Sequence, residues 1–429
     1  MTTAALNRID AVAANVAAYI VRHYPLLAQF LFERSRRTLI FAAALFSAIY
    51  VGVFLVSVVT AKDMKTIFGS VIGGDFIVFW SAAKELYTGD IVSLYQDDVF
   101  QARLQDLFPA PEPYGLFWLY PPTALLLIAP FGALPYLPAL FAWMAINLGG
   151  FAVFLSKFWR HGVALFFAMF SLAAFQGWVT GQTGFITAIL LTSAAAFAGP
   201  RPVLAGIAAG ILTIKPQFGL LIPLAFAAAG CWRAFGVAAL TGGALAALSL
   251  LVFGPDIWMA FFTAFGEHGA RMQSEAFPIQ KIISPFGAMM VLGANSSLAL
   301  GVQGLMALGL AGFVFMVWRK VDDWDIRVMV LCTAAPLATP YALYYELPIL
   351  IPPLFLLARR AVQTGWLRGE KLALIALWVA PLFLPGQLHT PGLPLAFIIA
   401  VSAFALCARR AMLALTPMAL TLKQAGAPS

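Results

Sequence analysis

The sequence predicts an all-α integral membrane protein: a polytopic bundle of about twelve transmembrane helices with a large first non-cytoplasmic loop carrying interfacial helices. Three observations predict it. Of 429 residues, 62% are hydrophobic and only 10% charged, with a mean hydropathy of +0.90. A soluble domain carries about 25% charged residues and could not hide so much apolar surface from water. Many uncharged runs also approach the ~20 residues that cross a ~30 Å hydrocarbon core as helix. Finally, the basic residues sort to one side of the layout these runs define.

Taken in order, residues 1–37 carry Arg8, Asp10, Arg22 and Arg34 among apolar residues. They lack the continuous apolar core of a signal peptide and read as a cytoplasmic interfacial amphipathic helix. The transmembrane domain then spans 38–410, and 411–429 is a cytoplasmic tail. Its first span is 38–60, and the polar stretch 61–120 is the largest loop. Pro121-Pro122 opens and Pro135 closes the apolar piece 121–134, too short to cross and expected as a half-inserted helix. Further spans fall near 136–156, 162–178, 183–199, 202–214, 217–231, 234–253, 297–318, 327–339, 343–358, 371–386 and 392–408. Both termini then share one side.

The positive-inside rule tests this layout. Of the 26 Lys and Arg, 19 fall on the side assigned as cytoplasmic, whereas 12 of the 18 acids fall outside. An error in the number of spans would scramble that sorting. The sequence pI near 9.5 therefore reflects membrane sidedness, with lipids and no nucleic acid as the expected partner. Outer loops 61–120 and 254–296 are long and inner loops short, so the protein is expected to act on something outside or in the outer leaflet. Cys231, Cys332 and Cys407 each fall in or at the end of an apolar run and read as buried small hydrophobes.

Ionisable residues near the outer boundary are the candidates for chemistry, because charge at that depth is costly. Asp75 leads, in Gly73-Gly74-Asp75-Phe76, ahead of a helical pattern (Phe76, Phe79, Trp80, Ala83, Tyr87) expected to lie along the membrane surface. A carboxylate among apolar residues has a raised pKa, which suits a general base; the plainer reading is a helix N-cap. Lys215, between two apolar runs, calls for an anionic partner such as a lipid phosphate, or else snorkels to headgroups. His268, Arg271 and Lys281 in the second outer loop could add charge, the two cations by holding a phosphate. Glu346 could bind a hydroxylated substrate or pair with Lys215, and Gln182 sits at an outer turn. His389 is a weaker candidate.

Some apparent motifs fall away. Gly73-Gly74-Asp75-Phe76 lacks the following acid and the soluble domain of a dinucleotide cyclase, and Asp323-Trp324-Asp325 lies in a short cytoplasmic loop and reads as a charged turn. No phosphate-cradling P-loop, dinucleotide fingerprint or His-Glu-x-x-His pattern occurs.

Residues 73–95, GGDFIVFWSAAKELYTGDIVSLY, form an Asp-helix-turn block after the first span, followed by YPPTALLLIAPFGALP at 120–135. GQTGF at 181–185, Lys215-Pro216-Gln217 and FGPDIW at 253–258 come next. In order and spacing these blocks resemble glycosyltransferase family 87, the polyprenyl-phosphate-mannose-dependent mannosyltransferases of the GT-C membrane fold, from about residue 38 to 360. The resemblance implies a sugar carried on a polyprenyl-phosphate lipid and inverting transfer to a hydroxyl of a glycolipid or envelope glycan. It implies an inner or plasma membrane location, an extracytoplasmic site, no metal and no cofactor beyond the lipid-linked donor. On this chain Asp75 would be the general base, and Lys215, with Arg271 or Lys281, would stabilise the departing phosphate. Family members often carry an acid or His in a late outer loop; here ATPYALYYEL at 338–347 offers Glu346 and Tyr341 but no His.

The rival reading is a polytopic transporter or lipid-linked sugar flippase. Transporters show internal repeats and mid-membrane polar residues; here no repeat relates the halves, and the outlying charges sit at the outer boundary.

Overall fold

A computed structural model of the protein describes residues 15, 18–19, 22–23, 36–67, 70–109, 116–271, 279–384 and 392–416. Regular structure among them is helical, with isolated bridges Lys62–Lys65, Lys65–Val71 and Ile282–Leu343. The interfacial helix expected over 1–37 falls almost wholly outside the described residues.

The first span forms α1 (Arg36–Val59). The loop over 61–120 is a folded unit holding α2 (Phe76–Thr88) and α3 (Asp97–Leu107), and the Pro-Pro opening leads into α4 (Thr123–Gly132). Next come α5 (Tyr136–Phe158), then α6 (Gly162–Met169) and α7 (Leu172–Thr180), which share one expected span but bend by 52° between them. They are followed by α8 (Gly184–Phe197), α9 (Pro202–Ile211), α10 (Ile222–Ala228), α11 (Trp232–Phe253) and α12 (Asp256–Arg271). The chain ends with α13 (Pro285–Val291), α14 (Ser296–Lys320), α15 (Trp324–Ala338), α16 (Ile351–Thr364), α17 (Glu370–Val379) and α18 (Leu395–Leu415). Helix α18 runs past residue 410, to Leu415.

This is a membrane protein: α5, α11, α14 and α18 are each long and apolar enough to cross a bilayer, and the α6–α7 pair makes five. Twelve full-length spans are not found among the described residues; apart from α1, the other expected spans are shorter or interrupted helices. Two physical effects explain the difference. Prolines break the runs: Pro216 comes just after the 3-10 turn Leu212–Ile214 that ends α9, and Pro348 lies in the 3-10 stretch Tyr344–Leu350 that leads into α16. Hydropathy also reads the same whether an apolar face meets lipid or protein. Helix α15 is buried continuously from Ile326 to Ala338, whereas α11 buries only Ala234 and Ser249 and leaves Leu251 83% exposed.

Two large apolar cores result. One joins α5 and α7–α10 to α14–α18, around Leu331, Leu347 and Ala400; the other joins α2–α4 to the start of α5, around Phe76, Leu125 and Trp143. Helix α2 was expected on the membrane surface, yet Phe76 through Ala83 are all buried. Its neighbours cover the sides that an interfacial helix would show to water: Phe79 stacks on Trp143 at 5.5 Å, and Trp80 Nε1 donates to Leu134 O at 2.9 Å.

Charge sorts to two ends of the bundle. Arg103–Glu85 and Lys215–Glu346 lie at one end; Arg327–Asp322, Arg359–Asp325, Arg360–Asp323 and Arg410–Glu370 lie at the other. Each of these pairs joins residues that the layout puts on the same side. Asp323 and Asp325 are thus engaged by arginines, and Asp323 also caps α15 through Ile326 N at 3.2 Å, as a charged turn would be.

Candidate functional site

The site forms where the two cores meet. Gly73 and Gly74 (φ +91° and +55°) fold the chain tightly ahead of α2, and Gly181 (φ +60°) does so after α7. The turns touch backbone to backbone: a Cβ on Gly181 would stand 2.4 Å from Gly73 O, and Asp75 N donates to Thr180 O at 2.7 Å. Trp143 Nε1 clamps Gly181 O at 2.8 Å, and Tyr136 Oη clamps Ile72 O at 2.5 Å.

Asp75 occupies the N-cap position of α2, but its side chain caps nothing. Instead its Oδ2 accepts from Gln182 Nε2 at 2.8 Å, the residue after the Gly181 turn. Burial raises the carboxyl above the ordinary aspartate range, while the Gln182 hydrogen bond and the charges of Lys281 and Lys215 pull the other way. Gln182 Oε1 in turn accepts from Tyr120 Oη at 3.1 Å.

Lys215 follows from local chain chemistry. The 3-10 turn Leu212–Ile214 ends α9, and Pro216 holds the preceding residue out of helix at φ −133°. Its ammonium pairs with Glu346 and lies 5.2 Å and 5.7 Å from the ring centroids of Tyr120 and Tyr345. Lys215 is 4% exposed and Glu346 2%. Glu346 Oε2, also buried, accepts no hydrogen bond among the described residues.

Lys281 arrives from the second long loop. Ile283 N donates to Ala342 O at 2.8 Å and Ser284 Oγ to Pro340 O at 2.9 Å, docking 281–284 against the segment that carries Tyr341 and Glu346. Half-buried Tyr341 and Tyr345 pack here against Ile282, Phe286 and Leu343, with Phe117 beside them. Phe117 and Leu119 also line a cleft of about 520 Å³ between the start of α3 and the Thr263–Glu267 face of α12.

The structure thus brings together Asp75, Gln182, Lys215, Lys281, Tyr341 and Glu346. His268 and Arg271 fall at the end of α12, with their side chains outside the described residues, as is His389. Tyr120 and Tyr345 were not singled out from the sequence, although Tyr120 heads the YPP block and Tyr345 adjoins Glu346. Among the described residues, no group of three or more His, Cys, Asp or Glu could hold a metal ion.

Fold and site define a helical membrane protein with a polar centre built from two carboxylates, an amide, tyrosines and two lysines. The family model of glycosyltransferase family 87 matches residues 118–340, just over half of the sequence. The chain belongs to glycosyltransferase family 87, and is a glycosyltransferase. The match takes in Tyr120, Gln182, Lys215 and Lys281. No curated protein and no solved structure matches the chain.

Proposed function

We propose that the protein moves a sugar, mannose by default, from a polyprenyl-phosphate donor to a hydroxyl of a glycolipid or envelope glycan at the extracytoplasmic face. Asp75 is the general base of an inverting attack. It takes the proton of the acceptor hydroxyl as that oxygen bonds to the anomeric carbon and the lipid phosphate departs with the electrons of the broken bond. The observation that carries this reading is the setting of Asp75: a half-buried carboxylate, one oxygen held by Gln182, with Lys281 and Lys215 within electrostatic reach. A base is most effective when its pKa approaches the working pH, and burial moves Asp75 in that direction.

Lys281 supports the donor side of this reading best. Lys215 is already engaged by Glu346, whereas Lys281 forms no ion pair among the described residues and is half-exposed. Lys281 therefore meets the phosphate, and Lys215 lends its charge from behind, where it stabilises the developing negative charge at low dielectric. Glu346 Oε2 is left to accept a hydroxyl of the sugar. Arg271 is a further candidate for the phosphate and His268 for the acceptor.

Purified protein assayed with a panel of radiolabelled polyprenyl-phosphate sugars tests the proposal. Transfer from one of them, abolished by Asp75→Asn with folding intact, is expected. Full activity in that variant removes the base assignment, and activity only with nucleotide sugars removes the donor class.

A further inference from the structure

We propose that Tyr120 is a positioning residue for Asp75: acting through Gln182, it holds one carboxylate oxygen in place and leaves the other for the acceptor hydroxyl. The inference deepens the general-base reading and rests on it.

It follows from counting donors and acceptors. An amide oxygen only accepts, so between Tyr120 and Gln182 the phenol must be the donor, with the Lys215 ammonium close by at 5.2 Å from the ring centroid. The single phenol proton is then available for Gln182 Oε1, 3.1 Å away. With its oxygen so engaged, the amide must turn its NH2 towards Asp75, where Nε2 donates to Oδ2 at 2.8 Å. The opposite flip would set the amide oxygen against the carboxylate, two acceptors face to face. Donation therefore runs in one direction, from Tyr120 through Gln182 to Asp75, with the Lys215–Glu346 pair beside the phenol. Tyr120 is itself held from behind: Tyr95 Oη donates to its backbone oxygen at 2.6 Å, and its ring lies 5.1 Å from Phe79 and 5.0 Å from Trp118.

Tyr120→Phe keeps the ring and its packing and removes only the hydroxyl. It should lower kcat about tenfold, leave KM for both substrates within about twofold, and move the acidic limb of the kcat profile to higher pH. Gln182→Leu should move the limb the same way, and the double variant should match Gln182→Leu alone, because the two residues act in series. A second measurement needs no turnover: pH-difference infrared spectroscopy of the carboxyl band that disappears in Asp75→Asn. Its titration midpoint should rise in Tyr120→Phe. A midpoint unchanged by Tyr120→Phe, or additive effects in the double variant, overturns the positioning role. Wild-type turnover by Asp75→Asn overturns the general-base reading instead, and the infrared midpoint still reports the coupling.

Discussion

Lys215 and Glu346 lie 131 residues apart in sequence and meet as an ion pair shut away from solvent on both sides. Neither charge would be tolerated alone at that depth, so each is the condition for the other. Their union joins the end of α9 to the segment leading into α16 and sets Tyr120 and Tyr345 around one ammonium.

Breaking the pair from one side should therefore be far more damaging than removing it. Glu346→Gln strands a buried ammonium, and a loss of about 3–5 kcal/mol is expected, read as a lower melting temperature in detergent. The double change Lys215→Met with Glu346→Leu should recover most of that stability without recovering transfer. A Glu346→Gln protein as stable as the wild type would show that the pair does not hold the bundle together.

Lys281 should behave differently, because it is half-exposed and unpaired among the described residues. Lys281→Met is expected to raise KM for the lipid donor about tenfold, the scale of one charge-assisted phosphate contact, with melting unchanged. Donor KM should also rise with salt in the wild type and respond less in the variant. An unaltered donor KM would move the phosphate elsewhere.

Asp75 makes a prediction about stability as well as rate. Its carboxyl is raised in the folded protein, chiefly by burial, so the folded state favours the neutral acid. The stability contributed by that neutral form is fully present below the unfolded pKa and lost as pH rises through the folded one. Asp75→Asn, neutral at every pH and still able to accept from Gln182, should therefore melt above the wild type near neutrality. The gap should close in acid, while transfer falls by about 10²–10⁴ from loss of the base. Wild-type activity, in turn, should climb with pH through a midpoint above that of an ordinary aspartate. A variant that melts below the wild type near neutrality would contradict the sign.

Much of this centre was legible because polar residues stand out against apolar runs. Asp75, Gln182, Lys215 and Glu346 each interrupt hydrophobic sequence near the end of a run, and the structure gathers them. Tyr120 and Tyr345 were not legible, since tyrosines at a membrane boundary are expected whatever they bond to. The pairing of Lys215 remained open from sequence because a lipid phosphate and Glu346 satisfy an ammonium equally well. The fold was less legible than its class. The periodicity of α2 suggested a surface helix, but α4 and α5 bury it, and nothing in a local window records what will pack on the polar side. At α15, likewise, hydropathy did not record that the helix is surrounded by protein, with every residue from Ile326 to Ala338 buried.

The glycine turns supply the last test. Gly181 holds φ +60°, and any Cβ there would stand 2.4 Å from Gly73 O, so alanine must push the 73–75 turn away from 180–182. Asp75 and Gln182 sit directly on those two turns, and a displacement of about 1 Å at a reacting group costs on the order of 100-fold in rate. Gly181→Ala should therefore lose about that much activity while α5, α11, α14 and α18 still insert and the far-end pair Arg410–Glu370 still holds. Gly89 at the end of α2 is the control: its φ is +104°, yet nothing lies within 4 Å of its would-be Cβ. Gly89→Ala carries only backbone strain of about 1–2 kcal/mol and should keep near-normal turnover at permissive temperature. Equal losses in the two variants would mean that helix strain, and not the contact between the turns, sets the position of Asp75.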